Sequence, residues 1–182
     1  MRSRLFAACW AAVLLALAGC TASASGSEVP GPPVVQQPAA SAGGACILWD
    51  YGFIQQKIGF TFTVAAAGES ADTSTCVVQT ETGDYPDLTL AVVESSKADS
   101  STFLALKPAK ATKLKGLGKA GYRLVTPASG DRGPTVEIAW LSEAAQLQTL
   151  KFTFAKGATS ADVSAMSGKL LDLAKAMDTT NG

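Results

Sequence analysis

Histidine is missing from all 182 residues. Its absence removes the side chain most used as a general base, a transition-metal ligand and a proton switch near neutral pH. Ser-His-Asp and Cys-His mechanisms are therefore excluded. A net charge is missing too, since 15 basic side chains face 15 acidic ones. General nucleic-acid binding needs a strongly basic domain, so no nucleic-acid partner is expected. No S-x-x-K occurs, and no G-x-x-x-x-G-K-[ST], so neither a penicillin-binding-type site nor a P-loop is supported. The 15 acids offer many carboxylate pairs for glycosidase chemistry, and nothing singles out one pair. No catalytic residue and no cofactor are assigned, and the chain is not expected to be an enzyme.

What is present begins at the N-terminus. Met1-Arg2-Ser3-Arg4 is a positive segment, and Leu5 to Ala18 is an uncharged, mostly apolar run of 14 residues. That is the length of a signal-peptide core and too short to cross about 30 Å of hydrocarbon comfortably. Leu17-Ala18-Gly19-Cys20 follows and resembles the lipobox of bacterial lipoproteins. The order and spacing predict cleavage after Gly19, with residues 1–19 removed. The resemblance implies diacylglyceryl on the Cys20 sulfur and acylation of the new amine. Two or more chains anchor stably where one binds marginally. The alternative is an ordinary secretory signal with a chance cysteine near its end. Arg2 and Arg4 leave with the signal, so 15 basic side chains become 13 against 15 acidic ones.

Thr21 to Ala45 is rich in Pro, Gly, Ser and Ala and carries one charge, Glu28. It cannot bury enough apolar surface to fold and reads as a tether. Residues 20–45 are therefore expected to hold the domain off the lipid, and residues 46–180 to form one globular domain. Of four cysteines, Cys9 leaves with the signal and Cys20 takes lipid, which leaves Cys46 and Cys76. Outside the cytoplasm two such thiols in one small domain most often pair; two free buried thiols are the alternative. Two cysteines without histidine fall short of zinc's usual four ligands, so no metal is expected.

Within the domain, Asp50 is placed to cap a short helix ending at Ile58-Gly59. Phe60 to Val64 alternates and reads as a half-buried strand, with Gly68 to Thr75 a polar loop after it. Cys76–Thr80 and Leu88–Glu94 read as strands separated by turn chemistry at Thr82–Asp87. Ala98 to Leu106 is expected as a helix with Phe103, Leu104 and Leu106 facing in, ended by Pro108. Arg123–Thr126, Thr135–Leu141 and Leu147–Phe154 read as further strands, the last two forming a hairpin through Ser142–Gln146. Thr159 and Asp162 make a capping box, and Val163, Met166, Leu170, Leu173 and Met177 follow as one apolar stripe. The sum is α+β: a single twisted, mainly antiparallel sheet of about five to six strands, with helices packed on it.

Three local features invite a functional reading. From Lys107 to Arg123 there are six cations and no anion, whereas Glu69 to Asp99 holds seven anions and one cation, Lys97. Lys107, Lys110, Lys113, Lys115 and Lys119 could touch an anionic surface, either lipid headgroups or wall polymer, or could form a solvated loop that balances the acidic region. Gly116-Leu117-Gly118 reads as a structural turn. Trp49, Tyr51 and Phe53 read as filling beside the cysteine pair, with an apolar pocket as the alternative. Trp140 can face either side of its strand.

The layout combines the lipobox, the Pro/Ser/Gly tether, Cys46-Ile47-Leu48 before a short helix, and Cys76-Val77-Val78 opening a strand. Gly116-Leu117-Gly118-x-Ala120 then leads into a strand, and an Ala/Leu-rich helix ends the chain. Over residues 45–178 it resembles the uncharacterised actinobacterial lipoprotein family DUF3558, and it is similar in layout to envelope lipoproteins with Mog1/PsbP-like folds. The helix after Cys46 is shorter and more aromatic than that pattern, and Lys119 stands where an acid often follows the second glycine. The resemblance implies a lipoprotein on the extracytoplasmic face of the cell membrane and carries no catalytic residue over. Two function classes follow as expectations. One is a lipid-anchored binding domain for a small apolar or amphiphilic ligand. The other is an adapter that docks to another envelope protein or an anionic envelope surface.

Overall fold

The computed structural model describes residues 36–95 and 97–181. The expected signal peptide, Cys20 and most of the tether lie outside the described residues. Residues 36–45, expected in the tether, belong instead to the fold. They form a 3-10 turn at Ala39–Ala42 and enter a second at Gly44–Leu48, with Ala39 and Ala45 buried in the core. Small side chains pack here because they fit a narrow gap, a property that composition does not reveal.

The elements are α1 (Tyr51–Ile58), β1 (Val64–Ser70), β2 (Thr73–Thr80), β3 (Gly83–Val93), α2 (Ser100–Ala105), β4 (Thr112–Leu114), β5 (Ala120–Thr126), β6 (Arg132–Leu141), β7 (Leu147–Ala155) and α3 (Ser160–Asn181). The sheet has seven strands rather than five or six, in the order β1-β2-β3-β7-β6-β5-β4, and every pair is antiparallel. The added strand is β4, an edge that lies inside the lysine run, while the other edge, β1, is the strand expected at Phe60–Val64 displaced to Val64–Ser70, into the stretch expected as a loop after Gly68. An edge strand exposed to water need not carry an apolar face, so its sequence reads as loop.

The helix ends follow local chemistry. Asp50 accepts from the Phe53 N–H at 2.9 Å, and Gly59 closes α1 at φ +79. Thr159 and Asp162 bond reciprocally at the head of α3, Asp162 Oδ2 accepting from the Thr159 N–H at 2.8 Å and Thr159 Oγ1 from the Asp162 N–H at 3.2 Å. The Thr159 N–H and hydroxyl, both donating to Oδ2, hold the Asp162 carboxyl below its ordinary range. The α3 stripe is as expected: Met166, Leu170, Leu173 and Met177 are buried and Val163 is half-buried. Two expectations fail. Phe60–Thr63 is not yet strand, although Phe62 is buried. α2 is only six residues long, and Leu106, expected to face in, is 80% exposed. Its anchor is Phe103, stacked on Tyr122 with centroids 5.5 Å apart.

Register explains the core. Leu88 and Leu90 of β3 lie opposite Phe152 and Leu150 of β7, which in turn lie opposite Val136 and Ile138 of β6. All six are fully buried, with α1 and α3 in the same cluster. Trp140 faces this side too, and its Nε1–H donates to Asp178 Oδ1 on α3 at 3.1 Å. Cys46 and Cys76 are disulfide-bonded, joining the second 3-10 turn to β2 across a Cα–Cα distance of 4.9 Å. Trp49 is buried in the same cluster, with no hydrogen-bond partner for its Nε1. The aromatic segment around it thus contributes filling beside the disulfide.

Candidate functional site

Three places on the domain gather chemistry. The first is an open cleft between the N-terminal half of α3 and the end of β7. Phe60, Pro86, Phe154 and Met166 give it an apolar floor, with Lys156, Asp162 and Lys169 also lining it, and its volume is about 340 Å³. Phe154 is fixed by an edge contact with Phe152 at 4.7 Å, and Phe152 by Phe60 at 5.0 Å. The Asp162 carboxylate is held by Thr159. Lys169 reaches back to the Ile58 carbonyl at 3.2 Å. A mostly apolar cleft with a few charged groups suits a small amphiphile, and its volume is near the low end for such sites. Sequence reasoning missed this cleft because its lining comes from segments up to about a hundred positions apart. No local pattern marks it.

The second place is the lysine run. Lys113 lies on β4 opposite Tyr122, and Lys115 and Lys119 bound the loop from β4 to β5. Lys110 lies two residues before the strand and is exposed, as are Lys113, Lys115 and Lys119; Lys107 follows α2 and is half-buried. The run is therefore an ordered edge hairpin and not a loop, because Thr112–Leu114 pairs with Gly121–Arg123. The glycine segment inside it is a structural turn: Gly118 donates its N–H to Asp178 Oδ2 at 3.1 Å, and Lys119 donates to the Leu141 carbonyl at 2.8 Å.

The third is the sheet face turned away from α1 and α3, where Thr75, Thr89, Thr149 and Lys151 alternate with the core residues. Asp87 lies on this face, its carboxyl raised by burial against the lowering effect of Thr153, Lys151, Thr89 and Arg132. The Tyr122 hydroxyl donates to Glu137 Oε1 at 3.3 Å. Burial first, then the Glu137 charge and this bond, push the Tyr122 pKa up to about 12 from an ordinary 10.0. The fold therefore favours the neutral phenol. Its contribution to stability is complete below pH 10 and is lost as pH rises from about 10 to 12. Ultraviolet titration is expected to show a late-ionising tyrosine whose midpoint moves part-way down in Glu137→Gln. An unmoved midpoint would remove Glu137 from the account.

Among the described residues no cluster of three or more Cys, Asp or Glu could hold a metal ion, and no helix is long and apolar enough to cross a membrane. No protein-family model matches the chain, and no curated protein or solved structure matches it significantly.

Proposed function

We propose that this chain is a lipid-anchored protein of the cell envelope, held at the extracytoplasmic face through Cys20, whose folded domain binds a small apolar or amphiphilic ligand without transforming it. The observation that carries the binding part is the cleft of about 340 Å³ over Phe60, Phe154 and Met166. Its floor supplies apolar contact, and Lys156 and Lys169 supply cations for the polar end of an amphiphile. Asp162 is held at the helix cap by Thr159 and keeps its charge, so the cleft carries two cations against one anion. The anchoring part rests on the Leu17–Cys20 box and on the envelope-lipoprotein layout that resembles DUF3558.

One experiment with two arms tests both parts. Metabolic labelling with a palmitate analogue is expected to mark the parent chain and to disappear in Cys20→Ala. Labelling that persists would remove the anchor. Dodecanoate binding, read by titration calorimetry, is expected to fall at least tenfold in Ala165→Trp. Ala165 lines the cleft and is exposed on α3, so the indole fills the cleft without entering the core. Unchanged binding would take the ligand out of the cleft. The lysine-bearing edge favours a second role beside this one, docking to an anionic envelope component.

A further inference from the structure

We infer that the basic β4–β5 edge rests on the anionic lipid surface that carries the anchor, so that the domain is held at both edges of its sheet. This inference rests on the Cys20 anchor proposed above.

Charge separation is the first support. The seven-stranded order places the acid-rich β1–β3 segment on one half of the sheet and Lys110, Lys113, Lys115 and Lys119 at the opposite edge. Asp178 accepts from Gly118 and Trp140, Asp99 from Ser101 and Thr102 at the α2 cap, and Glu137 from the Tyr122 hydroxyl. These carboxylates keep their charge but are oriented by those donors, while Lys110, Lys113, Lys115 and Lys119 are exposed to solvent. Edge lysines also block strand-to-strand aggregation. A three-residue edge strand is already a poor template for pairing, so four lysines exceed that need.

Reach is the second support. The described chain enters the fold at Gln36, whose side-chain amide donates to the Phe62 carbonyl at 3.1 Å, beside the start of β1. Entry point and lysines thus lie at opposite edges. Seven strands at about 4.8 Å spacing put those edges about 29 Å apart. Fifteen residues lie between Cys20 and Gln36, and a random coil of about that length has a root-mean-square span of about 20–24 Å. The folded sheet itself bridges the two edges, so the chain between Cys20 and Gln36 has only to reach from the lipid to the β1 edge. A domain lying across the surface can therefore set the lysines on headgroups without a taut connection.

The test uses the full lipidated chain in vesicles and measures acetylation of individual lysines by mass spectrometry. In vesicles containing phosphatidylglycerol, Lys110, Lys113, Lys115 and Lys119 are expected to react at least fivefold more slowly than in phosphatidylcholine, with Lys57 on α1 unchanged. The protection is expected to vanish in high salt, which screens exposed charges. It is also expected to vanish at Lys119 in the K110Q/K113Q/K115Q variant. Equal rates in the two lipids, with the chain bound to both, would overturn the docking and leave the anchor standing. Protection by soluble polyphosphate but not by phosphatidylglycerol would assign the edge to a free polyanion and overturn the inference too. Failure to associate with phosphatidylcholine vesicles would refute the anchor and the inference together.

Discussion

Removing both disulfide cysteines, Cys46→Ala with Cys76→Ala, is expected to lower the unfolding free energy by about 3.5 kcal/mol. The bond closes a span of 30 residues, and tying the ends of such a loop removes that much chain entropy from the unfolded state. For a folded unit of this size the loss corresponds to about 10–15 °C in melting temperature. The effect is also expected to be local before it is global. The loop contains most of the second 3-10 turn, α1 and β1, while β6, β7 and α3 lie outside it. Hydrogen exchange in the variant should therefore rise first over residues 44–70 and last over the β6–β7 pair. Both cysteines are fully buried, so a thiol reductant should act on the parent at the rate at which this region opens. A loss below about 1 kcal/mol in chemical denaturation would mean that the unfolded chain is already compact across this loop.

The disulfide was legible in the sequence by subtraction, because only two cysteines remain once the lipobox and signal are set aside. α3 was legible for a different reason. A capping box and five apolar residues at helical spacing say the same thing, and both local signals agree with the packing. The edge strands were not legible. β1 is exposed along nearly its whole length and β4 has no buried residue, so neither carries the alternation by which strands are recognised. α2 shows the reverse error. Phe103, Leu104 and Leu106 look like an inward face, but a six-residue helix held by one aromatic contact leaves Leu106 in water. The cleft was illegible because contact among Phe60, Phe154 and Met166 depends on the β3–β7 pairing, a long-range choice that no window of sequence contains. The orientation of Trp140 stayed open for a related reason. Both chain neighbours of Trp140, Ala139 and Leu141, are apolar and buried, so local composition leaves the side open, and a residue on α3, Asp178, receives the indole on the core side.

That same Asp178 underlies the largest single-residue effect expected outside the core. Gly118→Ala should lower the unfolding free energy by about 3 kcal/mol, against about 1 kcal/mol for Gly116→Ala two residues away. Both glycines have positive φ, +69 at Gly116 and +50 at Gly118, so both substitutions meet the same conformational penalty. They differ in surroundings. A methyl group at Gly116 would find open space. At Gly118 it would overlap the Leu141 carbonyl oxygen and lie 3.0 Å from the carbonyl carbon and 3.2 Å from Trp140 Cδ1. Neither neighbour can yield, since Leu141 is backbone in a strand and Trp140 is fully buried. The loop must retreat instead. Retreat strains the Gly118 bond to Asp178 and the Lys119 bond to Leu141, and it loosens the carboxylate that holds the Trp140 indole. Near-ultraviolet dichroism of the indole should therefore change in Gly118→Ala and stay put in Gly116→Ala. Asp178→Asn supplies the cross-check. It keeps the side chain's shape but turns one acceptor into a donor, so it should disturb the same signal through one bond without steric push. Equal costs for the two glycine variants would mean that the loop does not approach Leu141 as closely as the fold requires, and that the turn is held only by its own backbone.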